Sequence, residues 1–154
     1  MISIRVEKQI LYHRRKTGVI DVYPISTASK GMGNQEGSYQ TPLGKHKIYA
    51  KIGEGCPKET YFEARKPKGL FTQETQFNKK DWILSRIIWL TGVQTGVNKR
   101  GKVDSQRRYI YIHGTNEEGS IGQPASHGCI RMKNDDVIDL FNHVWCGESV
   151  YIKP

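Results

Sequence analysis

The sequence predicts a mainly β fold, a β-sandwich of mixed sheets with one short capping helix. Three observations carry that prediction. Short runs alternate apolar and polar residues at period two along much of the chain. One stretch alone, after Lys133, repeats its apolar residues at helical spacing. Clusters of Gly, Pro, Asn and Ser separate the runs, and strands that follow one another without intervening helices cannot build a doubly wound sheet. With 154 residues the chain fits a single domain, 1–154, long enough to bury a core.

Taken in order, Ile2, Ile4 and Val6 alternate with Ser3, Arg5 and Glu7, and a second apolar stretch follows at 9–12. A turn at 13–18 leads to a strand at 19–26, where Pro24 lacks the N–H of a central ladder and marks an edge or a bulge. Residues 27–40 are a polar loop. Thr41-Pro42-Leu43-Gly44 reads as a structural turn, with Pro fixing φ and Gly supplying positive φ, before a strand at 46–52. Residues 53–81 hold many Gly, Pro and Lys with scattered aromatics. A loop that long is a lid or hides a short hairpin. Residues 82–90 are almost continuously apolar, as in a strand buried on both faces, and Arg86 inside it must be a core ion pair or a cleft residue. A second polar loop spans 91–108 before Tyr109-Ile110-Tyr111-Ile112-His113. Asn134, Asp135 and Asp136 are suited to cap a helix that turns Val137, Ile138, Leu140, Phe141 and Val144 inward, and 149–153 is the last strand. Six or seven strands result.

Composition narrows the function. The net charge of +9, from 24 Lys and Arg against 15 Asp and Glu, favours anionic partners. Yet the basic clusters at 13–16, 65–68, 79–80 and 98–102 are scattered among turns and form neither a helical stripe nor an aromatic RNA-binding signature, so nucleic acid is not an expected partner. No apolar run approaches the length of a membrane span. Arg5, Glu7 and Lys8 fall where a secretory signal needs an unbroken apolar region, and three cysteines are a sparse, odd set. Both point to the cytoplasm; a chain trimmed of an export signal would read the same and belong to the periplasm.

Chemistry concentrates between His113 and Met132. In a strand, Tyr109, Tyr111 and His113 share the face opposite Ile110 and Ile112, and His113 stands at the strand's end. Twelve residues, Gly114 to Ala125, separate it from Ser126-His127-Gly128-Cys129, with Arg131 two positions on. A thiol beside imidazoles suits nucleophilic acyl transfer, in which the imidazole takes the thiol proton and returns one to a leaving amine. Gly128 has no Cβ, so a substrate carbonyl can come close and the N–H groups of Gly128 and Cys129 can serve as oxyanion donors. A metal site is not expected: no Cys-x2-Cys pair exists, and Cys146 with His143 makes one isolated pair. Cys56 and Cys146 read as structural.

The pattern His113, twelve-residue spacer, Ser126-His127-Gly128-Cys129-Ile130-Arg131 resembles the signature of the L,D-transpeptidase (YkuD) family, bacterial cysteine enzymes acting on peptidoglycan stem peptides. The resemblance spans essentially the whole chain and implies a YkuD-like β-sandwich with Cys and His at one end, a flap within 53–81, and no cofactor. It implies that Cys129 attacks the meso-diaminopimelate to D-alanine bond of a tetrapeptide stem and holds a thioester. His113 is then the base, oriented by the carbonyl of Gly114 or a neighbour; Ser126, His127 and Gly128 shape the oxyanion site; Arg131, Arg86 and Tyr111 bind substrate. Many family members carry Asn where Arg131 stands. The expected partners are stem peptides or muropeptides, with carbapenems as covalent inhibitors. Without an export signal, water is the expected acceptor, giving an L,D-carboxypeptidase of wall recycling. The alternatives are a periplasmic enzyme forming 3-3 cross-links and a non-catalytic peptidoglycan or nucleic-acid binder.

Overall fold

Alternation at the start of the chain becomes a three-stranded meander: β1 (Ile2–Arg5), β2 (Ile10–Arg14) and β3 (Ile20–Pro24), all antiparallel, with β3 at the sheet edge and Pro24 at its end. The computed structural model describes residues 1–77 and 81–154. After the loop come β4 (Gly44–Ile52), a hairpin of β5 (Thr60–Glu63) and β6 (Lys66–Leu70), and a 3-10 turn at Gln73–Phe77. Then follow β7 (Ile83–Gly92), β8 (Tyr111–Gly114), β9 (Ile130–Met132), helix α1 (Asn134–His143) and β10 (Ser149–Lys153).

Among the described residues the fold is mainly β with one helix, as expected, and the ten strands form one continuous mixed sheet that curls on itself. Its order is β3-β2-β1-β10-β4-β7-β5-β6, with β8 on β7 and β9 on β8. The last strand is central: β10 lies parallel to β1 and antiparallel to β4. Strand β7 is the hub, because its nearly continuous apolar character lets it pair with β4, β5 and β8 and be covered on both faces. Helix α1 buries Val137, Leu140 and Phe141 against the inner face, where Ile2, Ile4, Leu11, Ile48, Ile88, Ile112, Ile130 and Ile152 form the main core. A smaller cluster, Phe62, Ile87 and Tyr111, packs on the opposite side with Cys56, Trp89 and Cys129 at its margin.

Three expectations are corrected. Among the described residues the strand count is ten, not six or seven. Of the alternatives for 53–81 the short hairpin is present, as β5 and β6; Lys79 and Lys80, expected as a basic cluster within that segment, lie outside the described residues. The strand expected to start at Tyr109 starts at Tyr111, because Tyr109 takes φ of 54° and leaves the ladder. The helix is preceded by Lys133, which caps nothing, and Asn134 is its first residue; the carboxylate of Glu118 accepts the Asn134 N–H instead (2.8 Å).

Candidate active site

Strands β8 and β9 run parallel with His113 opposite Arg131, so two residues earlier Tyr111 stands opposite Cys129. Side chains paired across parallel strands share a face. Tyr111, His113, Cys129 and Arg131 therefore lie on the side away from the main core, and Ile112, Ile130 and Met132 fill it. Cys129 and His113 are diagonal neighbours, with Cα atoms about 8 Å apart from the strand spacing and rise.

The imidazole of His113 is fully buried, and its Nδ1 donates to the carbonyl of Gly114 at 2.6 Å. That bond sets the tautomer, with the lone pair on Nε2, which has no hydrogen-bond partner among the described residues. Burial lowers the His113 pKa below its ordinary value, with Asp81 and the Gly114 carbonyl opposing and Arg131 assisting, so the ring is neutral. The thiol of Cys129 donates to the Tyr109 carbonyl (3.3 Å) and accepts from the Tyr111 N–H (3.4 Å). Burial pushes it up to about 12, against the opposing pull of the Tyr111 N–H, Arg131 and Arg108. At rest the pair is thiol and neutral imidazole.

The loop before Cys129 is fixed by side chains that start far away in sequence. Ser126 is fully buried; its hydroxyl donates to the Cys129 carbonyl (2.5 Å) and accepts from the Gly128 N–H (3.2 Å). Thr41, from the turn before β4, is equally buried, donating to the Gly128 carbonyl (3.0 Å) and accepting from the Ala28 N–H. Gly128 has φ of 134°, a conformation that favours glycine. Gly128 was expected to offer an oxyanion donor, but its N–H is committed to Ser126; the N–H of Cys129 is the remaining one of the two. His127 projects to solvent, meets the Tyr39 ring edge-on and sits 3.4 Å from the Asp81 carboxylate.

Arg131 and Arg86 differ from expectation. The buried Arg131 guanidinium is held by Asp81 (2.5 Å) and Glu117 (3.0 Å), so both terminal nitrogens already have carboxylates. A bulge at Ser85, where φ is 70°, turns Arg86 inward, and its Nη1 donates to the carbonyls of Ser85 and Cys56 while the guanidinium lies over Phe141. Arg86 is neither a core ion pair nor a cleft residue: it ties the turn before β5 to the sheet. Tyr111 is buried and its hydroxyl accepts from Arg65 on the β5–β6 hairpin (3.2 Å), which also stacks on Trp89 and Tyr109.

Cys129 opens into a cleft of about 310 Å³ whose walls include Glu36, Tyr39, Arg107, Arg108, Tyr109 and His127. Arg108 is braced by the carbonyls of Gly33 and Gln40. The sequence reading passed over Asp81, Arg107, Arg108 and Tyr39. The two arginines were visible as a basic pair just before the strand, whereas nothing local marks Asp81 or Tyr39. Among the described residues no three His, Cys, Asp or Glu side chains converge as a metal site requires, and no helix is long and apolar enough to cross a membrane.

A neutral imidazole with a free Nε2, on the same face as a thiol at a cleft, matches what residues 1–152 show by comparison: they fit the YkuD family, described as the L,D-transpeptidase catalytic domain. The chain belongs to this family. It is 27% identical to the probable L,D-transpeptidase ErfK/SrfK of Escherichia coli, over 95% of this chain and 41% of that protein. Among solved structures it is similar to an L,D-transpeptidase from Mycobacterium smegmatis (TM-score 0.57, 15% identity, 99% of this chain and 58% of that one). It is similar also to L,D-transpeptidase 3 from Mycobacterium tuberculosis in complex with a faropenem-derived adduct (TM-score 0.57, 16% identity, 99% and 59%), and to LdtMt1 in complex with imipenem (TM-score 0.59, 17% identity, 99% and 57%). The chain thus spans less than two thirds of the length of these L,D-transpeptidases.

Proposed function

We propose that this L,D-transpeptidase domain transfers the acyl group of a peptidoglycan tetrapeptide stem through a thioester on Cys129. His113 carries this reading: its Nδ1 is locked by Gly114 and its buried Nε2 holds a lone pair without a partner among the described residues. Nε2 takes the Cys129 proton as sulfur attacks the carbonyl of the L-centre of meso-diaminopimelate. The Cys129 N–H faces the developing oxyanion, and Ser126 and Thr41 hold its loop in place. The imidazolium then protonates the amine of D-alanine as the C–N bond breaks, leaving the thioester. Arg107 and Arg108 on the cleft wall supply the positive field that a carboxylate-bearing stem requires; Arg131, on the same face as Cys129, is held in its salt bridges to Asp81 and Glu117.

The cleft is open to solvent. Without an amine acceptor, water attacks the thioester, His113 again taking the proton, and the domain acts as an L,D-carboxypeptidase; an acceptor amine would instead form a 3-3 cross-link. By the same chemistry imipenem, present in one of the similar structures, acylates Cys129. The test is incubation with disaccharide tetrapeptide followed by mass spectrometry. Loss of D-alanine without dimers supports the hydrolytic reading, and dimers or D-amino-acid exchange support transfer to an amine. No change in the peptide, together with no imipenem adduct or an equal adduct on Cys129→Ala, refutes acyl transfer.

A further inference from the structure

The curled sheet has a second face that helix α1 does not cover. Over β3, β2, β1, β10 and β4 its side chains divide into two territories. At the edge, β3 presents Ile20, Val22 and Pro24; Ile20 and Val22 are 51% and 55% exposed. Inward of these the register places cations side by side: Arg14 beside Ile20 on β2, Arg5 beside Lys153 across β1 and β10, and Lys45 and Lys47 on β4 beside Tyr151 and Ser149. Tyr12 and Tyr151 flank Ser3 between the two territories. No outward strand position across these five strands carries a carboxylate. The nearest acids face the other way or stand at the rim: Asp21 is paired with Arg15, Glu148 is buried against His13, and Glu7 lies in the β1–β2 turn; Arg5 donates through Nε to the Pro154 oxygen (2.8 Å).

We propose that this face docks on an anionic lipid membrane. The argument is that two features occur together. Cations alone would suit any polyanion, but a polyanion leaves the Ile20, Val22 and Pro24 strip in water. A bilayer uses both, taking apolar side chains and tyrosines at the interface while Lys and Arg meet the headgroups. The geometry fits: five strands at their usual spacing give a platform roughly 20 Å across. A depression of 270 Å³ between Arg5, Lys8, Tyr12, Arg14 and Ile20 offers room for a phosphate headgroup. None of the five strands carries the cysteine or the histidine of the active site, so the proposal does not depend on the acyl-transfer reading.

The experiment is sedimentation of the full chain with vesicles of phosphatidylglycerol mixed with phosphatidylcholine, and with phosphatidylcholine alone, at low and high salt. The expected result is pelleting with the anionic vesicles only, weakened by salt. Arg14→Gln/Lys45→Gln/Lys47→Gln should weaken it roughly 100-fold, since three membrane-facing cations are lost. Ile20→Ser/Val22→Ser should weaken it roughly tenfold, since apolar surface is lost at the interface. Both variants should keep the wild-type Tm, because every altered side chain is at the surface. The proposal is overturned if the protein stays in the supernatant at low salt or binds phosphatidylcholine alone equally. It is overturned also if the serine variant binds vesicles and single-stranded DNA as wild type does, which makes the face a general polyanion surface. Doubling of the mass without lipid, abolished by Ile20→Ser/Val22→Ser, would make the strip a contact between copies of the chain and likewise overturn it.

Discussion

The resting thiol should be slow. Burial holds Cys129 at about 12 against 9.0 for an ordinary cysteine, so at neutral pH its thiolate is about 1,000-fold scarcer. A more basic thiolate is a better nucleophile, and a Brønsted coefficient of ~0.4–0.5 returns roughly 20- to 30-fold of that loss. The net expectation is alkylation by iodoacetamide roughly 30- to 50-fold slower than an unhindered thiol, with a rate still rising at pH 10. The exposed Cys146 is an internal reference in the same molecule. The assay is a time course at several pH values, with modified peptides quantified by mass spectrometry and Cys146→Ser as a check on assignment. An acylating β-lactam should reverse the order of reactivity, because His113 Nε2 can take the proton as the bond forms. Iodoacetamide modifying Cys129 faster than Cys146 at pH 7, with a rate that levels off below pH 8, would mean a resting thiolate and would refute the neutral thiol–imidazole pair.

Three further outcomes follow from the same geometry. His113→Gln should keep the wild-type Tm within a few degrees and slow imipenem acylation about 10²- to 10⁴-fold, the contribution of a positioned base, as read by adduct mass against time. Gly114→Ala places a Cβ 2.3 Å from Asn134 Oδ1 and 2.6 Å from the Leu84 carbonyl, so backbone must shift; overpacking of this kind costs about 1–3 kcal/mol, measurable as a lowered urea midpoint. His46 is buried and its pKa is lowered to about 4, so from pH 6.5 down to 4 the unfolded chain binds a proton that the folded one refuses. Stability therefore falls as pH drops through that window, by about 3 kcal/mol in total from this group. Urea melts of wild type and His46→Gln at pH 7 and 4.5 should show a smaller acid loss in the variant.

What could be read from the sequence, and what could not, follows the reach of each physical signal. Apolar patterning is local, so alternation located β1 and β10, and apolar runs located β2 and β7, to within a few residues. The motif is local as well, and through the family resemblance it put His113 and Cys129 at one end of the fold; that they share a face follows only from the β8–β9 register. Electrostatic partnership is not local. Arg131 looked free to bind a substrate carboxylate because its carboxylates come from elsewhere: Glu117 fourteen residues back, and Asp81 fifty residues back, two positions before β7. Arg86 looked like a charge needing an anion, yet once the bulge at Ser85 turns it, its partners among the described residues are two backbone carbonyls and the Phe141 ring. Gly128 N–H looked available because the Ser126 hydroxyl two residues earlier could equally have pointed to solvent; Thr41, 87 residues away, helps to hold the loop that points it inward. In each case the residue type was right for the chemistry and the partner was what decided the role. With Arg131 occupied by Asp81 and Glu117, the cations lining the cleft beside Cys129 among the described residues are Arg107 and Arg108, and under the proposed function these are the groups placed to meet a substrate carboxylate.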